Sequence, residues 1–90
     1  MIKYEAVVHG RVQGVGFRQF TQQAAMRHNV FGWVQNEDDG TVRLAAEGTA
    51  GQMDAFLSEV RKGSPVSKVT EVDVQEVAQV THNDNFRITK

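Results

Sequence analysis

A chain of 90 residues with no cysteine and a net charge of −1 is sized for one domain and excludes disulfides, thiolate catalysis and cysteine-based zinc sites. Hydrophobic residues make up 40% and charged residues 23%, the balance of an ordinary soluble globular protein. No apolar run approaches the ~20 residues of a membrane helix, and ten basic against eleven acidic residues supply no broad positive field for nucleic acid.

The N-terminal MIKYEAVVHG lacks the basic-then-apolar order of a signal peptide. The expectations are therefore one domain over residues 1–90, a cytoplasmic monomer, and no membrane or nucleic-acid partner. Tyr4, Ala6 and Val8 alternate through residues 3–9 and predict a first strand, with Val7 on its other face. Gly10 ends it. GRVQGVGFR follows, with glycines at 10, 14 and 16, a backbone free to bend and open to close approach.

From Phe17 to about Asn29 the period changes. Phe17, Phe20, Ala24 and Ala25 fall three and four apart, one face of a helix that Asn29 can end in a left-handed conformation. VFGWVQ, residues 30–35, is aromatic and β-branched and reads as a second strand; Trp33 and the phenylalanines are expected to fill the core. NEDDG at 36–40 is a turn. Residues 41–47 then alternate, with Val42, Leu44 and Ala46 facing in and Arg43 and Ala45 facing out, which makes a hairpin.

Thr49 and Gln52 fit a capping box. Met53, Phe56, Leu57 and Val60 follow at i, i+3, i+4 and i+7, an amphipathic helix stopped by Gly63 and Pro65. KVTEVDVQEV predicts a fourth long strand and Phe86-Arg87-Ile88 a short fifth. The order β-α-β-β-α-β is that of an α+β ferredoxin-like sandwich. It has a four- to five-stranded antiparallel sheet and two helices on one face. That topology hosts many functions, so the site has to decide between them.

GRVQGVGFR carries the chemistry. Two arginines and no acid lie between His9 and Arg18. A glycine-rich loop runs from a strand into a helix whose first amides have no internal partners and carry the positive end of the dipole, a ready anion site. Glycines let successive amides converge on one anion, and Arg18, in the first helical turn, can grip two phosphate oxygens at once. No Gly-Lys-Ser/Thr follows, so this is not a Walker loop, and the glycine spacing is not that of a dinucleotide fingerprint. Taken alone, Arg18 reads as a solvated helix residue and Asn36 as a turn-starting asparagine.

Two longer runs change that balance. VVHGRVQGVGFRQFTQQAA resembles the first signature of acylphosphatases, G-R-V-Q-G-V-x-F-R. GWVQNEDDGTV resembles their second, G-x-V-x-N-x-x-D-G-x-V, and EGTAGQMDAFLSEVRKGSPVSKV is similar to their second helix with its flanks. The resemblance covers nearly the whole chain in order and spacing. It implies hydrolysis of acyl phosphates to a carboxylate and inorganic phosphate, with no metal and no cofactor. It implies that Arg18 binds the phosphate and that Asn36 orients the attacking water. It also implies that the backbone of Gln13, Gly14, Val15, Gly16 and Phe17 cradles the phosphate, Gln13 contributing its main chain only.

The residue types suit that reaction. The leaving group is good, so what remains is to hold the phosphoryl oxygens and place a water in line. An asparagine amide does not titrate but can hold a water. Gly16 stands where some relatives carry a bulkier residue, and a looser loop is expected. Arg11 is expected to brace the loop or add positive field, and Glu37, Asp38 and Asp39 to serve the turn. The histidines at 9, 28 and 82 lack metal-like spacing. Two other functions share the pattern. One is an acylphosphatase-like module similar to the N-terminal domain of the carbamoyltransferase that matures hydrogenases. The other is a non-catalytic anion- or RNA-binding sandwich; the absence of aromatics from TVRLAAE ranks it last.

Overall fold

The computed structural model describes residues 1–90. Its elements in chain order are β1 (Ile2–Arg11), α1 (Phe17–Arg27), β2 (Phe31–Asn36), β3 (Val42–Gly48), α2 (Ala50–Lys62), β4 (Lys68–Glu76) and β5 (Phe86–Ile88). The strands form one sheet in the order β4-β1-β3-β2-β5. Every pairing is antiparallel except that of β2 with the short β5, which is parallel. The ferredoxin-like sandwich is therefore present, with a mixed rather than wholly antiparallel sheet.

Both helices lie on one face. Tyr4, Ala6 and Val8 of β1, Val34 of β2, and Val42, Leu44 and Ala46 of β3 point toward them. Phe17, Ala24 and Ala25 of α1 and Met53, Phe56 and Val60 of α2 complete this core. The phenyl rings of Phe56 and Phe86 meet at 5.7 Å and lock α2 to the β5 edge. The two helices start differently. Thr49 caps α2 with a complete box, its hydroxyl accepting from the Gln52 amide at 3.3 Å while Gln52 Oε1 accepts from the Thr49 amide at 2.9 Å. Gly16 precedes α1 and caps it with no side chain.

The expectation that Trp33 and the phenylalanines fill the core is corrected for Trp33 and for Phe31. Trp33 lies outside the core. It is directly opposite Ala45 on the face away from the helices. VFGWVQ is apolar at successive positions, so alternation left its facing open, and Val34 takes the core side. Ala45 does face away from the helices, yet it is buried. Segment 77–85 must carry the chain from the β4 edge to the β5 edge. It does so beneath this open face, with the His82 ring tilted against Phe31 at 5.3 Å and bonded to Glu47 at 3.0 Å.

Candidate active site

β1 and β2 are both antiparallel to β3, so their C-terminal ends emerge at the same end of the sheet. Val42 marks that end, paired with Val8 on one side and with Asn36 on the other. Two strand spacings, about 10 Å, separate β1 from β2 there. The register shift between His9 and Gly10 bends the end of β1 as it leaves the sheet, and the glycine-rich loop begins at Val12.

Three apolar side chains fasten this loop. Val12 and Phe17 are fully buried at its two ends, and Val15 packs against the core between them. Gly14 and Gly16 adopt the left-handed region at φ 73° and 74°, which turns consecutive amides toward a common side. None of the backbone hydrogen bonds outside the helices and strands is donated by an amide between Val12 and Gln19. No side-chain oxygen takes one of these amides either. The first turn of α1 holds no acidic residue, so nothing within the helix offsets the positive end of its dipole.

Arg18 is half-buried and forms no ion pair or side-chain hydrogen bond within the protein, in contrast to Arg27 and Arg43, which engage Glu59 and Glu5. It lines a hollow of about 310 Å³ together with Gly14, Gly16, Phe17, Gln22 and Ile88. A larger hollow of about 400 Å³ opens at the other end of α1, around Met26, Asn29, Phe31 and Asp84. It has no lysine or arginine in its wall, so it offers a phosphate nothing.

Asn36 closes β2. Its amide donates to the Lys90 carbonyl at 2.7 Å, which fixes the backbone. Its side-chain oxygen is shielded from solvent and has no partner in the protein. A buried polar atom left unpaired costs roughly 1–3 kcal/mol and calls for a ligand or a water. Asn36 is not part of the wall of the Arg18 hollow.

The tie between the two comes from Gln13. Its side-chain nitrogen donates to the carbonyls of Glu37 and Thr41, both at 2.8 Å. The Gln13 side chain thus has a role apart from the main-chain contribution expected of it: the loop residue reaches 24 and 28 positions along the chain to the turn after Asn36. No local spacing could show this, because the contact exists only once β1 and β2 are in one sheet. The acidic turn is otherwise self-contained. Asp39 accepts from the Thr41 amide and hydroxyl, and these bonds hold its carboxyl below the usual range. Glu37 accepts from Gln35 at 2.9 Å and faces Arg43 at 3.9 Å.

Arg11 is exposed at the end of β1, opposite Lys68. The three histidines each meet a carboxylate from another element: Asp73 for His9, Glu59 for His28 and Glu47 for His82. Pairing of β1 with β4 also brings Glu71 near His9 and Asp73, all three ligand atoms lying within 4.8 Å of one another. They are at the surface, and the 2.9 Å hydrogen bond between His9 and Asp73 accounts for their approach.

A family model described as Acylphosphatase matches residues 4–88. An acylphosphatase of Bacillus licheniformis is 48% identical over 99% of both chains. The crystal structure of acylphosphatase from Bacillus subtilis superposes with a TM-score of 0.93 at 43% identity and full coverage of both chains. The crystal structure of full-length HypF in its phosphate- and nucleotide-bound form matches at TM-score 0.82 and 29% identity. All of this chain aligns there, but only 12% of that much longer one.

Proposed function

The chain belongs to the acylphosphatase family, and from that premise we propose how its own residues carry out the reaction. The enzyme is an acylphosphatase, a hydrolase of acid anhydrides that cleaves the bond between a carboxyl group and a phosphate. In our reading the phosphoryl group sits against the amides of Gln13 to Phe17, with the Arg18 guanidinium bidentate on its oxygens. These donors are in place before substrate arrives, so they stabilise the charge of the transition state without reorganising. Asn36 holds a water through its side-chain amide hydrogens, its amide oxygen being shielded from solvent, on the side of phosphorus opposite the leaving group.

The water oxygen bonds to phosphorus while the bond from phosphorus to the acyl oxygen breaks. The carboxylate departs with the electron pair, and the water proton passes to a phosphoryl oxygen. Asn36 does not titrate, so its part is orientation. Inorganic phosphate remains in the loop as product. We assign the work to a monomer acting as one domain in the cytoplasm, where a cysteine-free chain is at home.

The observation that carries this reading is a set of unpartnered polar groups at one end of the sheet: the loop amides and the Arg18 guanidinium, with Asn36 closing β2 at the same end. The RNA-binding alternative has less support. The open face carries Glu5, Glu47 and Asp73, and Phe31 is covered by His82. Arg43 pairs with Glu5 and His82 with Glu47 there, so the face is mixed in sign and supplies no strong positive field for a phosphate backbone.

The test is phosphate release from benzoyl phosphate, with wild type and Arg18→Ala compared at equal circular dichroism. Arg18→Ala is expected to lose about 10²–10³-fold in kcat/KM and to lose protection by phosphate. Near-normal turnover in the folded variant would remove Arg18 from the site.

A further inference from the structure

We propose that Gln13 is a positioning residue for the hydrolysis: it sets the distance between the phosphate loop and the water held by Asn36. This rests on the reading of Arg18 and Asn36 above and goes beyond it by adding the part that joins them. A primary amide nitrogen has two hydrogens, and both are used, one on the Glu37 carbonyl and one on the Thr41 carbonyl. The side chain therefore has no donor left for a phosphate oxygen, and its effect reaches the substrate only through the turn.

That turn is the right place to hold. Glu37 follows Asn36 directly, and its amide donates to the same Thr41 carbonyl at 2.9 Å. Gly40 donates to the Glu37 carbonyl at 3.2 Å. The two carbonyls that close the hairpin thus each receive a second bond from the phosphate loop. No other side-chain or backbone hydrogen bond joins residues 12–16 to residues 36–41. The apolar anchors Val12, Val15 and Phe17 hold the loop to the core, and the strand pairing of Asn36 with Val42 holds the turn to the sheet. Gln13 alone ties one body to the other by hydrogen bonds. An error of about 1 Å in a reacting geometry can cost roughly 10²-fold in rate, so a tie of this kind has a kinetic effect out of proportion to its strength.

A double-mutant cycle on kcat tests the idea, using Gln13→Met, Asn36→Ala and the pair, with the inhibition constant of inorganic phosphate measured alongside. Methionine keeps length and volume and removes both donors; Gln13→Glu, which also cannot donate these bonds, serves if the methionine variant unfolds. Gln13→Met is expected to lower kcat by about 10–100-fold and to move the phosphate inhibition constant by less than about threefold, because the apolar anchors still shape the loop. In the Asn36→Ala background the same change is expected to cost less than about twofold, since there is no held water left to misplace. Equal losses in both backgrounds overturn the proposal, as does a rise in the phosphate inhibition constant that matches the loss in kcat. Normal turnover in Asn36→Ala alone is a different result: it removes the Asn36 role on which the proposal rests.

Discussion

In the proposed mechanism, Asn36 and Gly16 divide stability from function at single residues. The Asn36 side-chain oxygen is buried without a partner, so it contributes nothing to folding and costs desolvation. Asn36→Ala is expected to leave thermal stability unchanged or slightly higher. Its kcat on benzoyl phosphate should fall by about 10²-fold, with the phosphate inhibition constant within about twofold of wild type. A destabilised variant with normal kcat would mean that the amide is structural. Gly16 sits at φ 74° and ψ 16°, and a Cβ placed there meets nothing within 4 Å. The glycine relieves a backbone strain that a bulkier residue would carry, rather than merely loosening the loop. Gly16→Phe is expected to fold, to lose about 1–2 kcal/mol in urea unfolding, and to retain turnover within about tenfold. A loss above about 4 kcal/mol would show a steric conflict that the open space around Gly16 excludes. Arg18 and Asn36, the residues of the proposed site, stand out in the sequence because their positions lie inside long signatures. The side-chain role of Gln13 does not, since its partners are two carbonyls on a different strand connection.

Among the elements, the helices were the easiest to read. The capping residues of α2 and the left-handed Asn29 after α1, at φ 56°, are local features, decided by side chains within three or four positions. Strand facing was harder. In β2, Phe31, Trp33 and Val34 are all apolar, so a period of two leaves both faces eligible, and only packing under α1 chose Val34. Gly32 in the same strand had no visible reason in the sequence. A Cβ on it would lie 1.9 Å from the Ala45 carbonyl oxygen, and its amide donates to Asn85 at 2.9 Å on the β5 side. Gly32→Ala must push β2 away from one neighbour. It is expected to lose more than about 3 kcal/mol in urea unfolding; a loss below about 1 kcal/mol would mean that the strand yields cheaply.

Across the whole molecule, the two helices are joined at their far ends by charge. Glu59 of α2 meets Arg27 and His28 at the end of α1. The hydrogen bond from Arg27, and then that from His28, hold the Glu59 carboxyl below its ordinary value. A folded value below the unfolded one means that the contribution is present above the ordinary carboxylate range and is lost as pH falls through the lowered value. Glu59→Gln is expected to lower unfolding free energy by about 1 kcal/mol at pH 7 and by nothing measurable near pH 2. An equal loss at both values would assign the effect to packing.

The sequence by itself determined the element order, the helix caps, the core face of β1 and the two signatures that name the reaction. All of these depend on residues near one another along the chain. Tertiary structure alone decided the parallel docking of β5, the burial of Ala45, the outward facing of Trp33, the carboxylate partners of the histidines and the tie from Gln13 to the turn. Each of these is a contact between elements, and its geometry exists only when the sheet has assembled in the order β4-β1-β3-β2-β5. Side-chain periodicity can say that a strand has two faces. Which neighbour covers each face is set by the packing of the rest of the chain.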